Sequence, residues 1–149
     1  MHRLVLCLAA AALAAGVLSA AALAAGPGGP ATVNMRQTKV GVILVDGKGR
    51  SLYLFEKDKH GKSTCSGACA RAWPPLLTKG APKATGGAVK ADLGTTKRSD
   101  GTTQVTYHGH PLYTYFADMK VGQTNGEGST AFGASWYVLN KSGNKIDKS

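Results

Sequence analysis

Two cysteines and three histidines are the residues of this chain whose types and spacing could do chemistry. Cys65 and Cys69 lie four residues apart, and His60, His108 and His110 are the histidines outside the apolar start of the chain. Thiolate and imidazole ligands together suit copper, so these five side chains are the candidate metal ligands. In an oxidising compartment two such thiols instead form a disulfide. Residues four apart in one helical turn have Cα atoms about 6 Å apart, which a disulfide tolerates.

The spacing of the cysteines favours a structural disulfide over a redox or metal site. A redox pair normally reads Cys-x-x-Cys in a strand and helix alternation, and the chain shows neither feature. A Cys-x-x-x-Cys pair with a remote histidine is similar to the site of SCO-type copper-delivery proteins, although those proteins have a thioredoxin-like fold. We therefore expect a disulfide between Cys65 and Cys69 and no cofactor, with copper binding as the alternative.

No catalytic set accompanies these residues. The chain contains no Gly-x-Ser-x-Gly, no His-Glu-x-x-His and no phosphate-binding loop that ends in Lys-Ser or Lys-Thr. These motifs place a nucleophile, a zinc site or a nucleotide site. We therefore expect a protein that is not an enzyme.

The first residues predict export. Met1-His2-Arg3 precedes an apolar stretch from Leu4 to Ala25, and Ala22-Leu23-Ala24 fits a small-x-small cleavage site. This pattern is typical of a cleaved signal peptide, here residues 1–24. We expect a secreted or periplasmic protein that is soluble after cleavage and has no transmembrane segment. Cys7 lies inside the apolar stretch, so no lipid anchor is predicted. The Gly/Pro-containing residues 25–38 are expected to be a flexible N-terminal segment.

The charge of the chain points to an anionic partner. There are 18 basic and 8 acidic residues, a formal net charge of +10 at pH 7, of which the signal peptide holds only Arg3. The lysines are spread through the loops, with no dense basic run and no interleaved aromatic residues. This distribution fits contact with an anionic envelope surface and does not predict nucleic-acid binding.

One pattern occurs twice in the mature chain. Residues 52–58 read LYLFEKD and residues 112–118 read LYTYFAD, an offset of 60 residues, and Trp73 and Trp136 follow at an offset of 63. Alternate residues of a strand share a face, so each tyrosine and the aromatic residue two positions later form a pair that opposes the preceding leucine. Core packing with the aspartate capping a turn is the simpler interpretation, and a ligand groove is the alternative. The residues of the repeated motif are Tyr53, Phe55, Asp58, Trp73, Tyr113, Tyr115, Asp118 and Trp136.

The remaining patterns predict a mainly β fold. Short β-branched runs bounded by turn residues dominate, as in residues 39–45, the Asp46-Gly47 turn and residues 50–55. The second copy repeats this hairpin through residues 102–116, with strands near 91–97 and 136–139 and a partner near 145–146. We predict antiparallel hairpins in two tandem homologous repeats, about 39–77 and 100–147, packed as one domain over 39–149. A loop-like connector spans about 78–90, and the one short helix is expected within residues 66–72.

The two motif copies, with CSGACARAWPPL at residues 65–76, resemble the bacterial family of secreted repeats or predicted lipoproteins with a YxFxxD-type motif. The resemblance covers residues 39–139 and implies export and a tandem β-rich repeat, with no established enzymatic activity. The chain lacks the lipidation cysteine of the lipoprotein members. We therefore expect an exported, non-catalytic binding or structural module with an unknown envelope ligand or protein partner. The alternative is a copper-binding or redox-linked periplasmic accessory protein.

Overall fold

The fold is built almost entirely from short strands. A computed structural model describes residues 28–148, and the predicted signal peptide lies outside the described residues. The strands are β1 (Thr32–Thr38), β2 (Gly41–Asp46), β3 (Tyr53–Phe55), β4 (Lys83–Ala84), β5 (Leu93–Lys97), β6 (Thr103–Tyr107), β7 (His110–Pro111) and β8 (Trp136–Val138). The helix α1 (Ala68–Ala72) and 3-10 turns at Lys90–Asp92 and Ala131–Gly133 complete the described elements. The predicted mainly β class is confirmed, and α1 lies where the short helix was predicted.

Each repeat opens with an antiparallel hairpin that packs on the core. In the first repeat β1 pairs with β2 from Val33 opposite Asp46 to Thr38 opposite Gly41, and in the second β5 pairs with β6. Residues 25–38 were expected to be flexible, but their second half forms β1. The alternation of Val33 and Met35 with polar residues is a strand pattern, and Val33 is fully buried. The first repeat therefore begins before residue 39.

The hairpin predicted around Asp46-Gly47 is confirmed as far as Leu44 and Leu52. Gly49 N donates to Asp46 O at 2.9 Å in the turn. Asp46 N donates to Arg50 O at 2.9 Å, Val45 bridges Ser51, and Leu52 N donates to Leu44 O at 3.0 Å. The strand that follows then leaves β2, because β3 pairs antiparallel with β8, more than 80 residues further along the chain. Pairing between the two repeats thus replaces a longer local hairpin.

The two repeats are joined by crossed strand pairing. Tyr53 N donates to Tyr113 O at 2.8 Å and Tyr113 N donates to Tyr53 O at 3.0 Å, so the two motif segments lie side by side. On its other side Tyr53 pairs with Val138, which follows the tryptophan of the second repeat. Tyr113 pairs with Pro75, the corresponding residue of the first repeat. Each motif segment therefore lies between the other repeat's motif and the other repeat's tryptophan segment.

The segments after the motifs differ in part from the prediction. Residues 112–116 do not form the predicted regular return strand, because β7 ends at Pro111 and Tyr113 contributes only bridges to Tyr53 and Pro75. The connector 78–90, expected to be a loop, contains β4, which pairs parallel with β1. The predicted partner of the last strand is confirmed, because Leu139 bridges Lys145.

The core has two clusters, one on each side of the motif strands. Leu52 and Leu112 belong to one cluster, whereas Tyr53, Phe55 and Tyr113 belong to the other with both tryptophans and both cysteines. This division follows the alternation of side chains along a strand. None of the helices in the described residues is long and apolar enough to cross a bilayer.

Candidate functional site

The tyrosines and aspartates of the repeated motif bond across the repeats. Tyr53 Oη donates to Asp118 Oδ2 at 2.7 Å, and Tyr113 Oη donates to Asp58 Oδ2 at 2.6 Å. The Oδ1 atom of each aspartate caps its own loop, since Asp58 accepts the Thr64 N–H at 2.7 Å and Asp118 accepts the Asn125 N–H at 2.9 Å. Each aspartate thus shapes its own repeat and holds the tyrosine of the other.

Burial sets the electrostatics of these pairs. Both tyrosines are fully buried and both aspartates nearly so. Desolvation, with the hydrogen bonds to Asp118 and Asp58 adding to it, raises the pKa of Tyr53 and of Tyr113 well above the usual phenol range. Burial also raises the pKa of Asp118, against the hydrogen bonds that it accepts. The tyrosines therefore stay protonated and act as hydrogen-bond donors at all ordinary pH values.

The other aromatic residues of the motif form a four-ring stack. Trp73 and Trp136 lie parallel, with centroids 4.0 Å apart and 4° between planes. Phe55 stacks on the outer face of Trp136 at 4.0 Å, and Tyr115 stacks on the outer face of Trp73 at 4.2 Å. Each tryptophan therefore contacts the aromatic residue of the other repeat's motif. The motif residues are buried except for Tyr115, which is half-buried, so their large surfaces are used inside the protein.

The cysteine pair lies beside this stack as a disulfide. The Cys65 and Cys69 Cα atoms are 5.2 Å apart, and both side chains are buried in the cluster of the two tryptophans. This bridge closes the loop that leads into α1. In this disulfide neither Cys65 nor Cys69 is present as a thiolate.

A buried arginine that the sequence patterns did not reveal fixes the start of this loop. One Arg98 Nη donates to Ser63 Oγ and Gln104 Oε1 at 2.8 Å, and the other donates to Cys65 O at 2.6 Å. Ser63 Oγ also lies 2.8 Å from Tyr113 Oη. The guanidinium thus ties the disulfide loop of the first repeat to the second repeat. No sequence signal could have found Arg98, which follows an unremarkable Thr-Thr-Lys run.

The three histidines lie in or beside turns and do not assemble a site with the cysteines. His60 and His108 both have positive φ, 51° and 48°, and each precedes a glycine of positive φ. His108 Nδ1 lies 3.4 Å from Asp92 Oδ1, and burial lowers the pKa of His110. Within residues 28–148, no three His, Cys, Asp or Glu side chains lie close enough to hold a metal ion. Turn geometry accounts for the two histidine positions with positive φ.

The comparison with protein families agrees with the two-repeat architecture. A family model described as a secreted repeat of unknown function matches residues 35–77 and 94–140, which is more than half of the chain. The chain belongs to this secreted-repeat family. No curated protein and no solved structure matches it. Each matched segment contains one hairpin, one motif segment and one tryptophan segment. Each family repeat therefore corresponds to one of the two repeats that pair with each other in the structure.

A basic cleft lies on the surface of this secreted repeat. It has a volume of about 750 Å³ and lies between residues 28–32, the β2–β3 turn and residues 76–79, with residues 101–103 opposite. Lys48, Arg50 and Lys79 line it with Asp46. Asp46 is already paired, because its Oδ2 atom accepts from the Arg50 guanidinium at 2.7 Å. The exposed ammonium groups of Lys48 and Lys79 therefore make the cleft positive.

Proposed function

We propose that this secreted repeat is a non-catalytic, cofactor-free binding module that attaches to an anionic component of the bacterial envelope. The observation that carries the proposal is that the repeated motif is used inside the molecule. Its tyrosines, aspartates and tryptophans contact one another between the repeats. Since the Tyr53 and Tyr113 hydroxyls bond to Asp118 and Asp58 and the tryptophan ring faces are stacked, the duplicated residues hold the two repeats together. We therefore expect surface residues, not the repeated motif, to bind the envelope component.

The charge of the surface supports an anionic partner. The chain carries a formal net charge of +10, and an exported protein with that charge meets phosphate- and carboxylate-bearing polymers and lipids. The cleft brings two exposed lysines together beside the apolar wall of Leu76 and Leu77. A positive recess of this size accepts an anionic group with an apolar neighbour.

A binding assay with isolated envelope material tests the proposal. The mature protein is expected to co-sediment with the material at low salt and to dissociate as salt screens the contact. Lys48→Gln/Lys79→Gln removes both lysine charges from the cleft and is expected to weaken binding roughly tenfold or more, since each lysine near an anionic surface contributes about 1 kcal/mol.

Lys57→Gln/Lys62→Gln is the matched control, because these lysines are also exposed but do not line the cleft. Equal losses for the two double variants would assign binding to net charge alone. Binding that does not change with salt would contradict an electrostatic partner.

The copper alternative requires the two cysteines as thiolates. The disulfide gives that alternative no support, and no three His, Cys, Asp or Glu side chains within residues 28–148 are grouped as a metal site. A free-thiol count on the secreted protein, followed by Cu(I) titration of the reduced form against a competing chelator, tests the point. We expect no free thiol and no competitive uptake, and tight uptake by freshly isolated protein would reinstate copper binding.

A further inference from the structure

The loops that follow the two motif strands share a framework but differ in surface chemistry. Residues 56–61 read EKDKHG, and residues 116–121 read FADMKV. The one shared residue is the aspartate, which in both repeats is buried, accepts from the other repeat's tyrosine and caps the loop. The shared loop conformation therefore depends on the aspartate. It forms with charged neighbours in the first repeat and with apolar neighbours in the second.

The second loop places large apolar side chains in water. Phe116 is 62% exposed, Met119 is 82% exposed and Val121 is 52% exposed. A cluster of exposed apolar residues in one loop marks an interaction surface more often than single exposed residues do. Glu56 and Lys59 occupy the places of Phe116 and Met119 in the first repeat, so folding of this loop type does not require an apolar residue at either place.

The apolar loop is held in place by hydrogen bonds to the rest of the protein. Phe116 N donates to Ala72 O at 3.0 Å, Gly122 N donates to Gly49 O at 3.2 Å, and Lys120 N donates to Gln123 Oε1 at 2.8 Å. A Cβ atom on Gly49, whose φ is 80°, would lie 2.8 Å from Val121 Cγ1, so only glycine lets the loop approach this closely. An ordered loop presents its apolar side chains without a large ordering cost on binding.

Two cationic side chains lie in or beside the apolar loop. Lys120 lies between Met119 and Val121 in the chain. The Arg36 side chain lies beside Gly49 through its guanidinium group and beside Gly122 through its Cδ atom. Gly49 also connects the loop to the basic cleft, which Lys48 and Arg50 line. The acid within the loop, Asp118, is buried and paired with Tyr53. The Val121 end of the apolar loop therefore adjoins the chain segment that lines the positive cleft.

We propose that this loop, residues 116–121, inserts its apolar side chains into the surface of an anionic lipid bilayer while the neighbouring cations contact the headgroups. The inference rests on the proposed function and names the lipid surface as its partner. A lipid surface supplies negative charge and an apolar layer together, and binding to it grows with both buried apolar area and electrostatic attraction. A purely polar anionic polymer would leave the apolar side chains in water.

The test attaches an environment-sensitive fluorophore to one introduced cysteine in the mature protein, whose own two cysteines form the disulfide. Met119→Cys carries the probe on the apolar loop, and Lys59→Cys carries it at the corresponding place of the first repeat. With vesicles of equal parts phosphatidylglycerol and phosphatidylcholine, the probe at residue 119 is expected to brighten and shift to shorter wavelength. The probe at residue 59 is expected to stay unchanged, and pure phosphatidylcholine vesicles are expected to change neither.

Unlabelled variants measure the contribution of the apolar side chains. Phe116→Glu/Met119→Lys gives the second loop the residues of the first without changing net charge, and vesicle affinity is expected to fall about tenfold or more. Phe132→Glu/Val42→Lys makes the same kind of change at exposed apolar residues that lie neither in this loop nor in the cleft lining, and is the control.

The outcomes separate this inference from the proposed function. Binding to envelope material that depends on Lys48 and Lys79, without a spectral change at residue 119 on vesicles, would overturn lipid insertion and leave the proposed function standing. Equal spectral changes at residues 59 and 119, or an unaltered affinity of the loop variant, would also overturn insertion. If the protein binds neither envelope material nor anionic vesicles, both proposals fail.

Discussion

The two repeats share their interior contacts and differ in what surrounds them. In both halves a tyrosine bonds to the other half's aspartate, and a tryptophan stacks on the other half's aromatic residue. Around this shared interior, the first repeat has the Cys65–Cys69 disulfide and a charged loop, whereas the second has a 3-10 turn at Ala131–Gly133 and an apolar loop. The comparison indicates that duplication preserved the residues that join the halves and left the outer segments free to diverge.

The largest effect is expected from removing one tryptophan of the stack. Trp73→Ala and Trp136→Ala each leave a large cavity between the repeats, and each is expected to lower the free energy of unfolding by about 3–5 kcal/mol. Urea unfolding followed by circular dichroism measures the loss. Phe132→Ala is the control, since Phe132 is 43% exposed, and its effect is expected to stay within about 0.5 kcal/mol.

A clear difference between the two tryptophan variants would show that the halves do not share the stack equally. Their hydrogen bonds already differ, since Trp136 Nε1 donates to Ala131 O at 2.9 Å, whereas the buried Trp73 Nε1 has no acceptor among the described residues. A loss as small as that of Phe132→Ala at either site would contradict a shared aromatic core.

Removal of the disulfide tests the main covalent difference between the repeats. It closes a loop of only a few residues, so Cys65→Ala/Cys69→Ala is expected to lower the free energy of unfolding by about 2 kcal/mol. The β-type circular dichroism spectrum is expected to persist, because the second repeat folds without a disulfide at the corresponding place. Reduction of the natural protein by dithiothreitol should give a similar loss. Complete unfolding of the variant would mean that the first repeat depends on its disulfide.

Alkaline pH is expected to destabilise the protein through the motif tyrosines. The pKa of Tyr53 is raised by burial and by its bond to Asp118, so the folded state keeps a proton that the unfolded phenol loses near pH 10. Stability therefore falls as pH rises above about 10, by about 1.4 kcal/mol per pH unit for each such tyrosine. Tyr53→Phe should reduce that slope by one tyrosine's share in urea unfolding between pH 9 and 11. Identical slopes in the variant and the natural protein would show that this phenol does not stay protonated.

The smallest effect on stability is expected from exchanging the loop residues. Phe116→Glu/Met119→Lys changes side chains that lie mostly in water, so the free energy of unfolding should change by no more than about 0.5 kcal/mol. The urea midpoint measures this change. A loss above 1 kcal/mol would mean that the apolar loop serves folding, and the contrast with the charged loop would no longer point to a binding surface.

The sequence predicted the elements that depend on local pattern. Alternation and turn residues predicted a mainly β fold, the strand near residues 91–97, the helix near Cys69 and the division of Leu52 and Tyr53 between two faces. It did not predict which partner each strand takes, because alternation specifies a face of a strand and carries no information about its neighbour. The pairing of β3 with β8 and the crossed Tyr–Asp bonds are long-range contacts of this kind.

The first strand and the buried arginine were missed for different reasons. Thr32–Thr38 has a strand pattern, but the Gly/Pro-rich residues just before it suggested a flexible segment. Arg98 is bound by partners from two separate segments, Ser63 and Cys65 in one and Gln104 in the other. A local sequence pattern does not predict such a long-range hydrogen-bond cluster. The disulfide between Cys65 and Cys69 was predictable because export and spacing both pointed to it.

A double-mutant cycle on the motif tests the central claim, that the repeated residues join the two halves, most directly. Tyr53→Phe and Asp118→Asn, alone and together, should show a coupling energy of about 1 kcal/mol or more in urea unfolding, because their side chains share a buried, charge-assisted hydrogen bond. Tyr53→Phe with Asp58→Asn, the aspartate of the same repeat, should be additive within about 0.5 kcal/mol. Coupling of Tyr53 to Asp58 in place of Asp118 would contradict the crossed architecture.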